Sequence, residues 1–389
     1  MKNNIVTEKG RLVCTKFKSC GGCAFEQEYA EQTIRKRVSV SNKLRFFGGV
    51  SRLETMGDPY RYRCKVTRVY KKASNGQLIS SVFKSKSGGC VPVLDCMLED
   101  KRLCEIAYDL GGVFSRFEVR PYDFETGKGC LRHIMLRKGY ETGQILLCIV
   151  TQPDTLKKPA SLANEIARRF PDITTIVHNE CASSMPLTLG KHEQVLTGDG
   201  YIEDRLLGLS FRISAGSFMQ VNPQMTAALY AYAREQLDDG TGTLLDAYCG
   251  TGTVGLICAG KAQQVIGVEK TPSAIEDAKR NAKANGIENA RFVCADATQF
   301  IEELAARGEQ IDAVILDPPR AGASSRFIEA VGTLAPKQVI YISCSPDTLA
   351  RDLRLFKKQG YRIGKPRCFD MFPHTRHVES VVKLTRAGL

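Results

Sequence analysis

No apolar run in this chain of 389 residues approaches the roughly 18 residues that a membrane span requires. Its start, Met1-Lys-Asn-Asn-Ile5, lacks the apolar stretch of a secretion signal. These absences exclude the membrane-spanning and secreted classes and set the expectation of a cytoplasmic protein. Internal repeats and low-complexity tracts are missing as well, which leaves an ordinary globular composition. Acidic residues are scarce beside basic ones: 42 Asp and Glu against 55 Lys and Arg, a net charge of +13. Such an excess favours a polyanionic partner, because a basic surface that neutralises phosphates releases their counterions. The same balance would also serve solubility.

Cysteine, by contrast, is plentiful. Its count, 15, is odd, and the residues are spread along the whole chain. In a reducing compartment they do not build a disulfide framework, so some have another job. The length suffices for two or three domains, and three regions separate. Residues 1–54 hold a cysteine cluster and then a basic helical stretch at 26–47. Residues 55–205 read mainly as short strands, at 61–70, 77–83, 131–137 and 144–151, with a helix predicted at 157–170. Turns are predicted at Gly76, Gly88, Gly89 and Gly139. Residues 206–389 alternate strands with helices, the signature of a parallel sheet with crossovers. Strands are predicted there at 244–247, 264–268, 291–294, 311–316 and 338–343. The final pair, 361–371 and 378–384, has too short a link for a crossover helix. It must form a hairpin, so the last strand runs antiparallel to its partner. The fold class is α/β with a mixed sheet.

Ligands of open α/β sheets sit beyond the carboxyl ends of the strands. The turn Cys249-Gly-Thr-Gly252 follows the first strand of that region, and its glycines let the backbone approach a ligand at a helix N-terminus. Glu269 ends the second strand, where an acid accepts both ribose hydroxyls. Asp296 follows the third, in reach of an adenine amino group. Both acids precede helices, so a plain N-cap is the competing reading. Asp317-Pro-Pro-Arg320 follows the fourth strand, and its prolines fix a rigid exit that puts the Asp317 carboxylate in the crevice. Such an acid-Pro-Pro element suits a methyltransferase acting on a nucleobase better than a nicotinamide enzyme.

Cys344 leaves the sheet at the same edge and is followed by Ser345-Pro346. A free cysteine is usually a core residue, but this position favours a nucleophile, with Arg320 or Arg351 as the cation that activates it. If the antiparallel last strand pairs with 338–343, its first residues, His377-Val-Glu379, arrive beside Cys344. Glu379 is then a candidate general base, with His374 and His377 as orienting groups. One thiol, one base and one adjacent methyl donor are what methylation of uracil carbon 5 by covalent addition at carbon 6 requires. A cytosine carbon 5 reaction would use similar parts.

Near the start stands Cys14-x5-Cys20-Gly-Gly-Cys23, a metal or cluster half-site. Cys96 is the best fourth ligand, with Cys90 and Cys104 as rivals. Spacing leaves zinc and a four-iron cluster equally open. In the middle region Arg61-Tyr-Arg-Cys-Lys65, with Lys71, Lys72, Lys84 and Lys86, forms a positive stretch on which Tyr62 or Tyr70 would stack bases.

Six ordered motifs together resemble the S-adenosylmethionine-dependent RNA uracil-5-methyltransferases across nearly the whole chain. They are the cysteine start, Ser217-Phe-Met-Gln-Val-Asn222, Asp246-Ala-Tyr-Cys-Gly-Thr-Gly252, Asp317-Pro-Pro-Arg320, Ser343-Cys-Ser-Pro346 and Asp370-Met-Phe-Pro-His-Thr-Arg-His-Val-Glu379. The resemblance implies a Rossmann-like class I methyltransferase domain with a seven-stranded mixed sheet at 206–389. It implies a mainly β, RNA-binding central domain before it, and an N-terminal cysteine region. By the same resemblance Cys344 is the nucleophile and Glu379 the base, while Gln220, Tyr248, Glu269, Asp296 and Asp317 contact S-adenosyl-L-methionine. Cys14, Cys20, Cys23 and Cys96 would hold a 4Fe-4S cluster. Many relatives begin with a small β-barrel that this sequence does not show. That feature and the Asp-Met-Phe-Pro-His-Thr run are similar to the branch that methylates a hairpin-loop uridine of 23S ribosomal RNA, with transfer RNA as the alternative and a monomer expected. Thr253 stands where relatives often carry Asn.

Overall fold

The computed structural model describes residues 4–8, 11–84 and 89–387. Lys86 of the positive stretch and the turn glycine Gly88 lie outside the described residues. Two compact units interleave along the chain: Met1–Glu26, Asp58–Arg205 and Arg212–Gly216 make the first, and Gln27–Gly57, Leu206–Phe211 and Ser217–Leu389 the second.

In the first unit the described residues form a seven-stranded sheet in the order His192–Thr197, Ile173–Glu180, Ile145–Thr151, Leu131–Lys138, Lys65–Lys72, Leu78–Phe83, Cys90–Pro92. Neighbours are antiparallel except Ile145–Thr151 with Ile173–Glu180, a parallel pair that needs the crossover helix Pro159–Arg169 between them. One feature was not anticipated. The helix Lys101–Arg116 buries Leu103, Ile106, Leu110, Val113 and Phe114 against the sheet, so the region carries a second helix besides the one expected at 157–170. The apolar spacing of three and four was legible in the sequence, but Gly111-Gly112 interrupts it like a turn. Gly111 is needed, because a Cβ there would stand 2.2 Å from the Leu78 carbonyl oxygen.

The two tyrosines expected to stack bases are buried instead. Tyr62 is 6% exposed, and Tyr70 is 2% exposed. The Tyr70 hydroxyl donates to the Ala107 carbonyl at 2.5 Å and its ring meets Phe114 edge-on at 5.2 Å. Arg61 is likewise spent on structure, in a two-point bond to Asp95 at 2.5 and 2.8 Å.

In the second unit the described residues form a nine-stranded sheet. Its path runs Ala290–Cys294, Ala262–Glu269, Thr241–Ala247, Ala313–Leu316, Gln338–Ser343, Glu379–Arg386, Arg367–Phe369, Arg52–Glu54, with Tyr361–Ile363 also beside Glu379–Arg386. The first five strands are parallel. Glu379–Arg386 is antiparallel to Gln338–Ser343. Two differences separate this from seven strands. Pro366 has no N–H to donate and splits the stretch 361–371 into two short strands. Arg52–Glu54 adds a parallel edge beside Arg367–Phe369. The helix Tyr29–Lys43, grouped by sequence with the cysteine motif, packs in this unit, where Val40 joins a core with Leu245, Val314 and Tyr341.

Gly111→Ala should cost about 1–3 kcal/mol, the usual penalty of overpacking, because the obstacle is backbone and cannot swing aside. A urea unfolding curve with an unchanged midpoint would contradict the packing described here.

Candidate active site

The site assembles at the carboxyl edge of the parallel strands. Ser343 and Ser380 are the last register partners between Gln338–Ser343 and its antiparallel neighbour. Cys344 and Glu379 are therefore the next residues outward on facing strands, and residues opposite each other project to the same side. Asp317 directly follows Ala313–Leu316, the strand on the other side of Gln338–Ser343. The charge of Asp317 acts on both Cys344 and Glu379, and that of Glu379 on Cys344. Burial, then the charges of Glu379 and Asp317, push the Cys344 thiol up to about 11, against the opposing pull of Arg320. Burial, then Asp317, lifts the Glu379 carboxyl to about 8, again opposed by Arg320. Burial alone lifts Asp317 to about 7. Glu379 is 2% exposed, and its Oε2 has no hydrogen-bond partner among the described residues.

Of the two arginines considered for the thiol, Arg320 is the one whose charge acts on it. Arg351 is held elsewhere, donating to Asp352 at 2.7 Å and to the carbonyls of Ala321 and Ala323 at 2.8 and 3.1 Å. Sequence reasoning missed Tyr230, on the helix Pro223–Gln236. Burial, then Asp317 and Glu379, raises its phenol well above the ordinary range, while a hydrogen bond with Gln220 opposes the rise. Gln220 was expected here; Tyr230 sits mid-helix with no turn or strand end to mark it.

The glycine turn takes the shape its residues permit. Tyr248, Gly250 and Gly252 all have positive φ, at 65°, 53° and 80°. Nothing lies within 4 Å of where a Cβ on Gly250 would stand, so a ligand can close on that backbone, whereas a Cβ on Gly252 would stand 2.9 Å from the Phe292 ring. Asp246 accepts from the Gly255 N–H at 2.7 Å, and burial lifts its carboxyl to about 7. The Tyr248 ring centroid is 5.6 Å from that of Phe327. Asp296 does act as a helix N-cap, whereas Glu269 closes a turn onto Thr271, the N-cap residue of the next helix. Glu269 Oε1 accepts from the Thr271 N–H and hydroxyl at 2.9 and 2.7 Å, and Asp296 Oδ1 accepts from Thr298 and Gln299 N–H at 2.9 and 3.2 Å. Each carboxylate uses one oxygen in these bonds. Thr253 opens the short helix Thr253–Cys258, its hydroxyl 3.2 Å from that of Thr251. A turn with open space over Gly250 and two acids at the ends of adjacent strands suits an adenosine-bearing ligand.

In the first unit Cys14, Cys20, Cys23 and Cys96 line one cavity of about 190 Å³, together with Arg63, Arg68, Asp95 and Glu99. Burial, then the neighbouring Cys14 and Cys20, pushes the Cys23 thiol up to about 12. Arg61 also donates to the Cys96 carbonyl at 2.7 Å. Cys90 and Cys104 are not among the residues lining that cavity. Cys104 turns to Glu99 Oε2 at 3.5 Å. Among the described residues no group of three or more His, Cys, Asp or Glu is arranged to hold a metal ion. The four thiols share a cavity without converging on one point in it. As a donor set, four soft sulfurs suit iron or zinc, and of the two carboxylates in the lining Asp95 is bound to Arg61 and Glu99 to Arg68.

Comparison with known proteins identifies the family. The family described as tRNA (Uracil-5-)-methyltransferase matches residues 190–387. An uncharacterised RNA methyltransferase of Clostridium tetani is 36% identical over 99% of this chain and 85% of its own length. One of Halalkalibacterium halodurans is 35% identical over 95% and 82%. Among solved structures, the tRNA (uracil-54, C5)-methyltransferase of Pyrococcus abyssi in complex with S-adenosyl-L-homocysteine superposes with a TM-score of 0.77. It is 25% identical over 99% of this chain and 92% of that one.

The raised Glu379 carboxyl carries a consequence for stability. Its folded form holds the proton more tightly than the unfolded chain does, so its contribution is fully present below 4.5 and lost as pH rises through about 8. Glu379→Gln cannot ionise, so its melting temperature relative to the parent should climb across that window. Parallel melting curves from pH 5 to pH 9 would refute the burial argument.

Proposed function

We propose that this chain, which belongs to the tRNA (uracil-5-)-methyltransferase family and is an S-adenosylmethionine-dependent RNA (uracil-5-)-methyltransferase, uses Cys344 as nucleophile and Glu379 as general base. The supporting observation is the register that sets these two residues on facing strands beside Asp317. Carbon 5 of uracil is a poor nucleophile. Addition of the Cys344 sulfur at carbon 6 moves the double-bond pair toward oxygen 4, and the resulting enolate is nucleophilic at carbon 5. S-adenosylmethionine supplies the methyl group that carbon 5 takes. Glu379 then accepts the carbon 5 proton, the 5,6 double bond re-forms, and the sulfur leaves. Arg320 favours the thiolate, while burial and two carboxylates oppose it, so the resting thiol keeps its proton until substrate enters.

Glu269 would hold the ribose hydroxyls and Asp296 the adenine amino group, with Gln220, Tyr248 and Asp317 lining the methyl-bearing end. Cys14, Cys20, Cys23 and Cys96 would hold a four-iron, four-sulfur cluster, which their shared cavity and soft donors support. The first unit contacts RNA in this reading. It has a second cavity of about 630 Å³ lined by Lys72, Arg120 and Lys157 with a single acid, Glu118. Among the described residues no helix is long and apolar enough to cross a membrane, which fits work on cytoplasmic RNA.

The substrate we assign is a hairpin-loop uridine of 23S ribosomal RNA, where an unpaired base is cheap to extrude; the Asp370-to-Thr375 run supports it. A transfer RNA uridine is the second reading, favoured by the name of the matching family and of the Pyrococcus abyssi enzyme. Mapping 5-methyluridine in both RNAs from a deletion strain separates them, since the mark disappears only from the true substrate. Methyluridine unchanged in both would end the assignment.

In vitro, Cys344→Ala should release no tritium from 5-tritiated uridine in RNA and form no covalent adduct. Glu379→Gln should accumulate a denaturation-stable adduct. With the parent, tritium release should rise with pH through about 8 as Glu379 loses its proton. Normal turnover by Glu379→Gln would remove that residue from the base role.

A further inference from the structure

The loop that delivers Glu379 to the sheet is gripped from below by a helix near the other end of the chain. Lys36 and Gln32 stand on the helix Tyr29–Lys43, and with Val40 they form its buried stripe at spacings of four. An apolar side chain would satisfy that packing without the desolvation cost of a buried ammonium. Lys36 Nζ instead donates to Asp370 Oδ1 at 2.6 Å, to the Phe372 carbonyl at 2.9 Å and to the His377 carbonyl at 3.4 Å. These three acceptors match the three protons of an ammonium. The Lys36 and Asp370 side chains are 1% and 0% exposed.

Further bonds fix the same loop. Gln32 Oε1 accepts from the His374 N–H at 3.0 Å, and its Nε2 lies 3.1 Å from His374 Nδ1. His374 itself sits at φ 64°, a left-handed conformation that needs such support. Asn222 Nδ2 donates to the Met371 carbonyl at 3.0 Å. Glu379, two residues beyond His377, has no partner for its Oε2 among the described residues. Its place is therefore set by its backbone: the strand it opens, paired at Phe369, and the loop leading into that strand, which Lys36 holds.

We propose that Lys36 is a positioning residue for Glu379. By engaging Asp370, Phe372 and His377 at once, it fixes the loop that leads into the strand carrying the base and so governs proton removal from carbon 5. In that step Glu379 takes the proton, the C–H pair becomes the 5,6 double bond, and the carbon 6–sulfur bond breaks with its electrons on Cys344. Addition of Cys344 and methyl transfer rely on other elements and are spared. The inference rests on the reading of Glu379 as the base.

Lys36→Met alone would strand the buried Asp370 charge, so the test uses Lys36→Met/Asp370→Asn, which removes both charges, beside Lys36→Arg and Glu379→Gln. Each full-length variant is assayed on an unmodified 23S ribosomal RNA transcript carrying 5-tritiated uridine, or on unmodified bulk transfer RNA if the parent accepts only that. Calorimetry with S-adenosylmethionine confirms the fold. The double variant should transfer a labelled methyl in a single turnover at nearly the parent rate. It should release tritium about 10- to 100-fold more slowly, the scale of a small misplacement, and build up methylated adduct with KM for RNA unchanged. Lys36→Arg should fall between it and the parent. Normal tritium release, or methyl transfer and release slowed alike with no adduct, would overturn the proposal. Should the double variant fail to bind S-adenosylmethionine, Lys36→Arg decides on the same readouts, and parental kinetics there would overturn it. Absence of adduct in Glu379→Gln would instead sink the assignment of the base.

Discussion

The second unit depends on one strand pairing, that of Gln338–Ser343 with the antiparallel Glu379–Arg386. A parallel strand ends at the ligand edge of the sheet, while an antiparallel one begins there. Inserting the last strand beside the fifth parallel one thus brings a residue that opens a strand against one that closes another. The period of two along a strand makes the arrangement strict: a slip of one residue would turn Glu379 to the opposite face. Paired backbone hydrogen bonds, more than any contact between the two side chains, keep sulfur and carboxylate on one side.

The same edge concentrates negative charge in a dry place. Asp246, Asp317 and Glu379 all sit where burial disfavours ionisation, lifting them to about 7, 7 and 8. A carboxylate in water would be a weak proton acceptor; one held near neutrality is better matched to a carbon acid. The cost falls on the fold, because each ionised group is less at home there than in the unfolded chain. Arg320, exposed at the rim, offsets part of it. In the proposed mechanism activity and stability are thus set against each other by the same atoms, a common arrangement where catalytic groups are desolvated.

Much of the second unit was legible in the sequence, because short apolar runs ended by glycine, acid or Asp-Pro-Pro mark buried strands and their ligand edge. The hairpin at the end followed from a link too short for a helix, and with it the meeting of Cys344 and Glu379. What stayed hidden has physical causes. Tyr230 lies inside a helix and earns its place only through tertiary packing. Lys36 read as one more cation on a basic helix, since no local pattern announces a partner 334 positions away. Tyr62 and Tyr70 looked like stacking platforms because alternation shows which residues share a face but not which face is covered. The helix Lys101–Arg116 was masked by its two glycines, one of which is there to let backbone approach backbone.

The interleaving of the two units also bears on how the molecule comes into being. Residues 27–57 belong with Ser217–Leu389, so the helix that carries Lys36 emerges from the ribosome long before its companions exist. At about 5–20 residues per second, it waits tens of seconds for the strand it must brace. Meanwhile the first unit, whose sheet is complete by Thr197, has time to form and to hold the early helix on a tether. Maturation of the second unit therefore waits until Glu379–Arg386 has been translated, when the early helix and the segment it braces first coexist.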